Sequence, residues 1–324
     1  MNIDFRKIIK RSWEIIKKNK ILWILGMLLG GASVGSGGGG SGYDFDSSDV
    51  DKIKNSDFVD GDQLTSAIDS FLTSLSEVIA KIPPYIWILI IVTLISVIIL
   101  GIIVKIYLNN WAEGAVIGLV NGAEKGEEIS FRKGAIYGIR FAKRLVLISI
   151  VPGLIYFLIL IAFGLLIVFS LLFPVPVLNI ILAIIFGFIL IFFMLIGSLF
   201  LSLLKIISIR IVVVEDKDYL EAYKEAFTFV KKAFLEIIIQ GVINYSFGCG
   251  FGCLYLIFLI VIIGIIILGF FIHVGLGLPL ALLGLLILIV SGVFVGAFNS
   301  FKSANWTLLY KQVREKQKEG NNAK

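Results

Sequence analysis

The sequence predicts an all-α integral membrane protein of about six transmembrane helices, built as three repeats of an interfacial amphipathic helix followed by a transmembrane hairpin. Its composition indicates the membrane class, since 58% of the 324 residues are apolar, 16% are charged and the mean hydropathy is +1.00. Soluble domains carry about 25% charged residues. A basic segment that occurs three times, each time before a long uncharged run, predicts the repeat.

The three basic segments begin at Asp4, Ser130 and Asp218. An aromatic residue follows each start directly, and a pair of cations comes thirteen and fourteen residues after it. Between these marks, apolar and small residues recur at i, i+3, i+4, i+7, i+8 and i+11, which is the spacing of one helical stripe. We expect this stripe to face inward, at Phe5, Ile8, Ile9, Ser12, Trp13 and Ile16, at Phe131, Gly134, Ala135, Gly138, Ile139 and Ala142, and at Tyr219, Ala222, Tyr223, Ala226, Phe227 and Val230.

Five spans follow from uncharged apolar runs, because a bilayer core requires about 20 such residues per helix. Prolines indicate turns at Phe173 to Pro176 and at His273 to Pro279, since proline suits a turn or the first position of a helix. We interpret His273 as an interfacial residue. The glycine-rich segment 21–35 is a short sixth span or a re-entrant segment. The five longer helices are expected at 82–104, 145–172, 178–206, 240–272 and 279–303.

These elements divide a single membrane domain over 1–324 into three repeats. Repeat 1 also contains an acidic extracytoplasmic loop, 36–81, in which Leu64 to Ile79 has a helical pattern. Calcium binding by this loop would need the regular ligand spacing of an EF-hand, which is absent. The predicted ranges are 4–108 for repeat 1, 130–209 for repeat 2, 218–310 for repeat 3 and 311–324 for a cytoplasmic tail.

The positive charges predict the orientation. Of the 29 lysines and arginines, 26 lie in the ranges 1–20, 105–144, 205–232 and 302–324. The positive-inside rule therefore places both termini in the cytoplasm, in a multi-pass protein of the cell membrane. The loop carries a net −6 and the remainder +12. The net charge of +6 thus arises from the way positive residues are distributed across the membrane. It does not indicate binding to nucleic acid, which is not an expected partner.

The N-terminus allows a second interpretation. A basic stretch precedes a short apolar run, Ile21 to Leu29, and small residues follow, which also fits a cleaved signal peptide. The amphipathic leader favours the repeat instead, because it matches the two internal segments.

The cation pairs are candidate contacts for lipid head groups. A helix that lies flat at the membrane surface places its cations among anionic lipids, so we expect anionic lipids on the cytoplasmic side to be partners. Alternatively, these helices are topological anchors packed under the bundle, without lipid selectivity. The candidate contacts are Lys17, Lys18, Lys143, Arg144, Lys231 and Lys232.

Two further features concern the basic segments themselves. Asp218 and Glu221 have the spacing of a capping box at the start of the third segment. Gly134 and Gly138 lie on the inward stripe of the second, where each weakens a helix by about 1 kcal/mol relative to alanine. A close approach of another helix is the expected compensation.

The most polar cluster predicted inside a span consists of Gln240, Asn244, Tyr245 and Ser246. These residues line a solute path, or they hydrogen-bond between helices and hold them together.

Cys249 and Cys253 lie four residues apart in the same span, where two thiols could bind a soft metal or cycle between redox states. The neighbouring Gly248 and Gly252 favour tight helix packing instead.

The motifs of common enzymes are missing from the sequence, including the P-loop, H-E-x-x-H and G-x-S-x-G. Apart from Lys205 and Lys302 at the ends of two spans, the predicted spans contain no Asp, Glu, Lys or Arg, which ion-coupled transporters usually carry at membrane depth. We therefore expect no catalysis, no cofactor and no metal site.

The stretch Arg210 to Asp216, together with the third basic segment, resembles a signature of prokaryotic multi-pass proteins. These are the membrane domain attached to some glycerophosphodiester phosphodiesterases and its stand-alone relatives. The resemblance implies six helices, with an extended apolar stretch and an acidic turn before an alanine-bearing amphipathic helix. No part of the sequence corresponds to the phosphodiesterase domain, so no catalytic residue is carried over. The further residues that resemble the pattern are Trp13, Asn19, Leu22-Trp23, Ala222, Ala226-Phe227, Lys231 to Phe234, Asn305-Trp306 and Leu309-Tyr310.

Two functions remain open from the sequence. The first is a non-catalytic membrane module that organises lipid or partner proteins, with a protein partner or a second copy as a further possibility. The alternative is an uncoupled permease or facilitator for a small or amphipathic solute.

Overall fold

The computed structural model describes residues 3–31, 83–170, 176–272 and 274–322, together with Ser70, Thr73 and Ser74. Within these ranges the chain is helical apart from short connections, and no strand occurs there. The predicted all-α class is thereby confirmed. The helices with described bounds are α1 (Phe5–Lys18), α2 (Ile21–Gly31), α3 (Pro84–Glu124), α4 (Phe131–Ser170), α5 (Pro176–Glu215), α6 (Tyr219–Lys232), α7 (Phe234–Ile272) and α8 (Val274–Asn322).

Some predictions fall outside the described residues. They concern the acidic loop at 36–81, its helix at 64–79, the turn at 173–175, and His273. Of the predicted loop helix, Ser70, Thr73 and Ser74 are described and helical, and the Ser74 hydroxyl donates to the Ser70 carbonyl at 2.7 Å.

The chain divides into two units, one formed by residues 1–33 and 106–324 and the other by residues 34–105. The main described stretch of the second unit is the first part of α3. Almost every side chain from Tyr85 to Lys105 is exposed there, and nearly all are apolar. Such a surface suits lipid, because apolar side chains gain nothing from contact with water.

Five of the described helices, α3, α4, α5, α7 and α8, are long and apolar enough to cross a membrane. They indicate a multi-pass membrane protein. Their qualifying stretches are 37 to 43 residues long, whereas a bilayer core requires about 20. Each helix therefore extends well beyond the hydrocarbon layer.

The predicted spans are helical where described, but their predicted bounds are too narrow. α3 continues to Glu124, α4 begins at Phe131, and α8 reaches Asn322, each well past the charge that closes its apolar run. A charge ends a membrane-embedded stretch without ending the helix, because the helix satisfies its own backbone hydrogen bonds in water as well.

α5 begins two residues before its predicted start, with Pro176 at the first helical position. The predicted turn from His273 to Pro279 is wrong over its described residues, because α8 begins at Val274 and Pro279 lies inside it.

The second basic segment is not a separate helix, contrary to the predicted interfacial helix of repeat 2. Residues 131–144 form the start of α4, which continues without a break to Ser170. The stretch Ile211 to Val214 is likewise helical rather than extended, because α5 runs to Glu215. The first and third segments do form separate helices, α1 and α6.

The packed apolar core lies where the three basic segments meet, and we call this region the basic end. α1 docks there, and its Arg11 side chain donates to the Glu124 carboxylate at 2.7 Å, which raises the pKa of Arg11. The remaining parts of α4, α5, α7 and α8 expose mostly apolar side chains. The basic end comprises α1, α2, α6 and residues 106–124, 131–148, 203–215, 234–244 and 297–313.

α2 crosses α8 at unusually close range through two glycines. A Cβ on Gly296 would lie 2.1 Å from the Trp23 carbonyl oxygen, and one on Gly26 would lie 2.0 Å from the Gly296 carbonyl oxygen. The Ser300 hydroxyl donates to the Leu22 carbonyl at 2.5 Å. Small residues allow helix backbones to approach in this way, so α8 holds α2 in place.

The close approach expected at Gly134 and Gly138 is confirmed. A Cβ on Gly138 would lie 2.7 Å from the Trp111 carbonyl oxygen, and one on Gly134 would lie 2.9 Å from the Leu119 side chain. The partner is the last part of α3.

Four positions are buried in all three basic segments, at 4, 8, 11 and 12 residues after the start. The expected inward position at 9 residues is wrong, because Trp13, Ile139 and Phe227 are 53%, 65% and 41% exposed. At about 100° per residue, that position lies roughly 110° from the middle of the buried stripe. The buried sets are Ile8, Ser12, Ile15 and Ile16, then Gly134, Gly138, Phe141 and Ala142, then Ala222, Ala226, Phe229 and Val230.

The helix starts are also alike, although the predicted capping box is wrong. The backbone carbonyls of Asp4, Ser130 and Asp218 each accept from the amide four residues later, at 3.2, 3.1 and 2.9 Å. Side-chain caps occur at Asp4 and Ser130, which accept from the amides of Lys7 and Lys133 at 3.0 and 3.3 Å. Asp218 makes no such bond.

We expect Gly296→Ala to destabilise the fold by about 1–3 kcal/mol, because the added methyl group would overlap the backbone of α2. The measurement is the thermal unfolding midpoint of the detergent-solubilised protein. Gly264→Ala is the matched control, since nothing lies within 4 Å of a Cβ at Gly264 in α7. Equal midpoints for the two variants would contradict the close crossing.

Candidate functional site

The connection between α5 and α6 is the most heavily charged contact point of the basic end. It consists of Asp216, Lys217 and Asp218, and Asp216 has a positive φ of 55°. A residue other than glycine rarely adopts this conformation. Surrounding contacts must therefore hold it.

Two arginines of α4 provide these contacts. Arg144 donates to the Asp216 carboxylate at 2.8 Å, and Arg140 forms an ion pair with its other oxygen. Arg144 was predicted to contact lipid, but in the structure this ion pair occupies its guanidinium. Both pairs are partly exposed, so each contributes modestly to stability.

A second network joins α5, α6 and α8. Glu215 accepts from the Tyr310 hydroxyl and pairs with Arg314 at 2.9 Å, and Arg314 also pairs with Glu225 of α6. Lys217 bridges the two carboxylates, with its amine 3.1 Å from Glu215. The hydrogen bond to Glu225 raises the pKa of Lys217, so the lysine stays charged.

Tyr223 fixes α6 against α4. Its hydroxyl donates to the Ile148 carbonyl at 2.7 Å, and burial raises the pKa of Tyr223 to about 12.

A buried ion pair lies between α5 and α3. Arg210 is 2% exposed, and its guanidinium donates to the Ile206 carbonyl at 2.7 Å and lies 3.4 Å from the Glu113 carboxylate. Both residues fell outside the predicted spans, so sequence reasoning missed them. The signal was present: Arg210 stands between Ile209 and Ile211 in an otherwise apolar run.

The predicted polar cluster is divided by the structure. Gln240 and Asn244 share a buried face of α7 as expected, and the Asn305 amide of α8 donates to the Asn244 oxygen at 2.9 Å. This bond is the interhelical contact that one interpretation predicted. Tyr245 and Ser246 are exposed and point away from this buried face, because consecutive residues of a helix point about 100° apart.

Several amide atoms of this cluster make no hydrogen bond within the part of the chain that the structure describes. Neither side-chain atom of Gln240, which is fully buried, makes a hydrogen bond, and neither does the Asn244 nitrogen or the Asn305 oxygen. Unpaired buried polar groups are rare in native proteins.

The favoured packing interpretation of Cys249 and Cys253 is wrong. Both thiols are free and exposed, and nothing lies within 4 Å of a Cβ at Gly248 or Gly252. This stretch of α7 lies beyond the packed core. In the described ranges, no group of three or more His, Cys, Asp and Glu side chains could hold a metal ion.

The remaining candidate lipid contacts stay available. Lys17, Lys18, Lys143 and Lys232 are exposed, and within the described chain none of them forms an ion pair. Lys231 is also exposed, with its amine 4.3 Å from the centre of the Phe227 ring.

Comparison with known proteins adds no assignment: the chain matches no protein-family profile, no curated protein and no solved structure.

We expect Arg314→Gln to cost about 3 kcal/mol of stability, because it leaves two half-buried carboxylates short of a cation. Lys311→Gln is the matched control, because Lys311 lies one turn away on α8 and forms no ion pair with any described residue. Thermal unfolding in detergent measures the difference. A loss in the control equal to that in Arg314→Gln would show that the network does not hold α6 to α8.

Proposed function

We propose that this protein is a non-catalytic membrane module that organises anionic lipid at its basic end, on the cytoplasmic side of the cell membrane. The proposal rests on a difference between the cations of the basic end. Arg140, Arg144, Arg210 and Arg314 pair with carboxylates. The lysines of the three cation pairs are exposed and form no ion pair among the described residues, namely Lys17, Lys18, Lys143, Lys231 and Lys232.

The arginines explain the structure of the basic end without lipid. Arg140 and Arg144 pair with the connection between α5 and α6, and Arg210 and Arg314 pair with carboxylates of other helices. Arginine suits this task because its planar guanidinium binds carboxylates at two points.

Among the described residues, the lysines of the cation pairs form no ion pair. They occupy equivalent positions thirteen and fourteen residues after each segment start, beside a long apolar run. A lysine near an anionic membrane surface contributes about 1 kcal/mol to binding. Cations at this place are therefore suited to phosphate head groups.

The same correspondence supports a threefold repeat with six crossings. The shared burial at four positions and the shared helix starts favour common ancestry of the basic segments. In this proposal α2 belongs to a further crossing, which brings the total from five to six. The resemblance to the phosphodiesterase-linked membrane domain also implies six helices.

A permease remains the second candidate, because both amide atoms of Gln240, the Asn244 nitrogen and the Asn305 oxygen make no hydrogen bond among the described residues and are suited to bind a polar solute. Glycerol flux into proteoliposomes tests it. Under the lipid proposal we expect no saturable flux. Saturable flux that Gln240→Leu with Asn244→Leu abolishes, and that Tyr245→Phe with Ser246→Ala preserves, would replace the lipid proposal with the permease.

For the lipid proposal, we expect the triple change Lys17→Gln, Lys143→Gln and Lys232→Gln to weaken retention of phosphatidylglycerol by about fivefold per lysine. Mass spectrometry of lipid that co-purifies in mild detergent measures retention. The matched control replaces Lys125, Lys224 and Lys318 with Gln, which are exposed lysines outside the pairs. An equal loss in both triple variants, or none in either, would contradict the proposal.

A further inference from the structure

An open apolar groove between α1, α7 and α8 extends from the basic end along the exposed part of α7. Its volume is about 840 Å³. Ile9 and Trp13 form the α1 side, Phe298 and Phe301 form the α8 side, and α7 contributes its face from 242 to 254. Trp13 is 53% exposed at the rim.

Aromatic rings and one glycine give the groove its shape. Phe251 stacks on Phe298 with ring centres 4.4 Å apart and planes 7° apart. Trp13 meets Phe301 edge-on at 5.9 Å. A Cβ at Gly250 would have nothing within 4 Å, so this part of the groove stays open. A long, narrow apolar chain fits such a space.

A cation stands beside this apolar surface. The Lys302 amine lies over the Phe298 ring, 5.1 Å from its centre, and the side chain is half-buried. No ion pair of Lys302 occurs among the described residues. Arg6, Lys10 and Lys17 of α1 are exposed on the same side of the helix as Trp13. The positive charge beside the groove therefore favours an anionic ligand.

We infer that this groove binds one anionic phospholipid, with an acyl chain along Phe251 and Gly250 and the phosphate at Lys302. The inference rests on the proposed function, because it requires the basic end to face anionic lipid, and it names one defined site there. A second copy of the chain fits less well. In a twofold-symmetric contact the same surface occurs on both sides, so Lys302 and the α1 cations would face like charges.

The test uses Trp13 as a reporter in the full-length protein. The protein is reconstituted in phosphatidylcholine vesicles that contain increasing fractions of either phosphatidylglycerol or phosphatidylcholine with a brominated acyl chain. Bromine quenches tryptophan fluorescence at contact, and the difference from Trp13→Phe isolates the signal of Trp13. We expect brominated phosphatidylglycerol to quench Trp13 at about fivefold lower mole fraction, as one cation near an anionic lipid would cause.

Two variants with matched controls locate the site. Lys302→Gln is expected to reduce the preference for phosphatidylglycerol to about onefold, whereas Lys318→Gln, with the same charge change farther along α8, leaves it intact. Gly250→Leu is expected to reduce quenching by both lipids, because its side chain fills the groove. Gly264→Leu, at an equally open position of α7 outside the groove, preserves quenching.

Equal quenching of the wild type by both lipids would overturn the inference, since Trp13 would then contact only bulk lipid. A preference that survives Lys302→Gln would overturn it as well. The inference would also be overturned if two copies formed a disulfide through Cys253, next to Leu254 of the groove, and neither lipid quenched Trp13. A second copy of the chain would then cover the groove. If the lysine pairs retain lipid as expected but both lipids quench Trp13 equally, only the groove site is rejected. The retention assay does not depend on Trp13, so a failure of the groove site and a failure of the proposed function are distinguishable.

Discussion

Three consecutive charged residues, Glu215, Asp216 and Lys217, connect four helices, and the packing of the basic end depends on them. Asp216 adopts a backbone conformation that costs free energy for a residue with a side chain. Its ion pairs with α4 offset that cost, while Glu215 reaches α8 and Lys217 reaches α6. The sharp reversal between α5 and α6 is thus stabilised by charge. Placed there, α6 can bury its small residues against the neighbouring helices.

The protein divides its packing between two environments. At the basic end, long helices extend beyond their apolar runs and bury a core that resembles the interior of a soluble protein. Elsewhere the same helices expose mostly apolar side chains, which pack against lipid tails and need no protein contact. The glycine crossing of α2 and α8 belongs to the first environment. Gly248 and Gly252 of α7 belong to the second environment. Glycines therefore mark a helix contact at the α2–α8 crossing but an exposed surface in α7.

Several features could be predicted because they depend on local pattern. Uncharged runs predicted the membrane helices, and glycine on an inward stripe predicted the contact of Gly138 with α3. The predictions that failed required knowledge of neighbours. Gly248 and Gly252 have the spacing of a packing motif, but no helix covers them. Tyr245 and Ser246 are adjacent in sequence to a buried face and point away from it.

The sequence by itself determined the helical membrane class and, in each basic segment, the buried positions 4, 8 and 12 residues after the start, because composition and helical periodicity act within a single helix. Only the tertiary structure decided which cations are engaged. Arg144 and Lys143 are neighbours in the chain, yet one binds Asp216 and the other remains exposed. Ion pairs such as Arg210 with Glu113 join residues about a hundred positions apart. Their partners follow from how the helices cross, which no local pattern records.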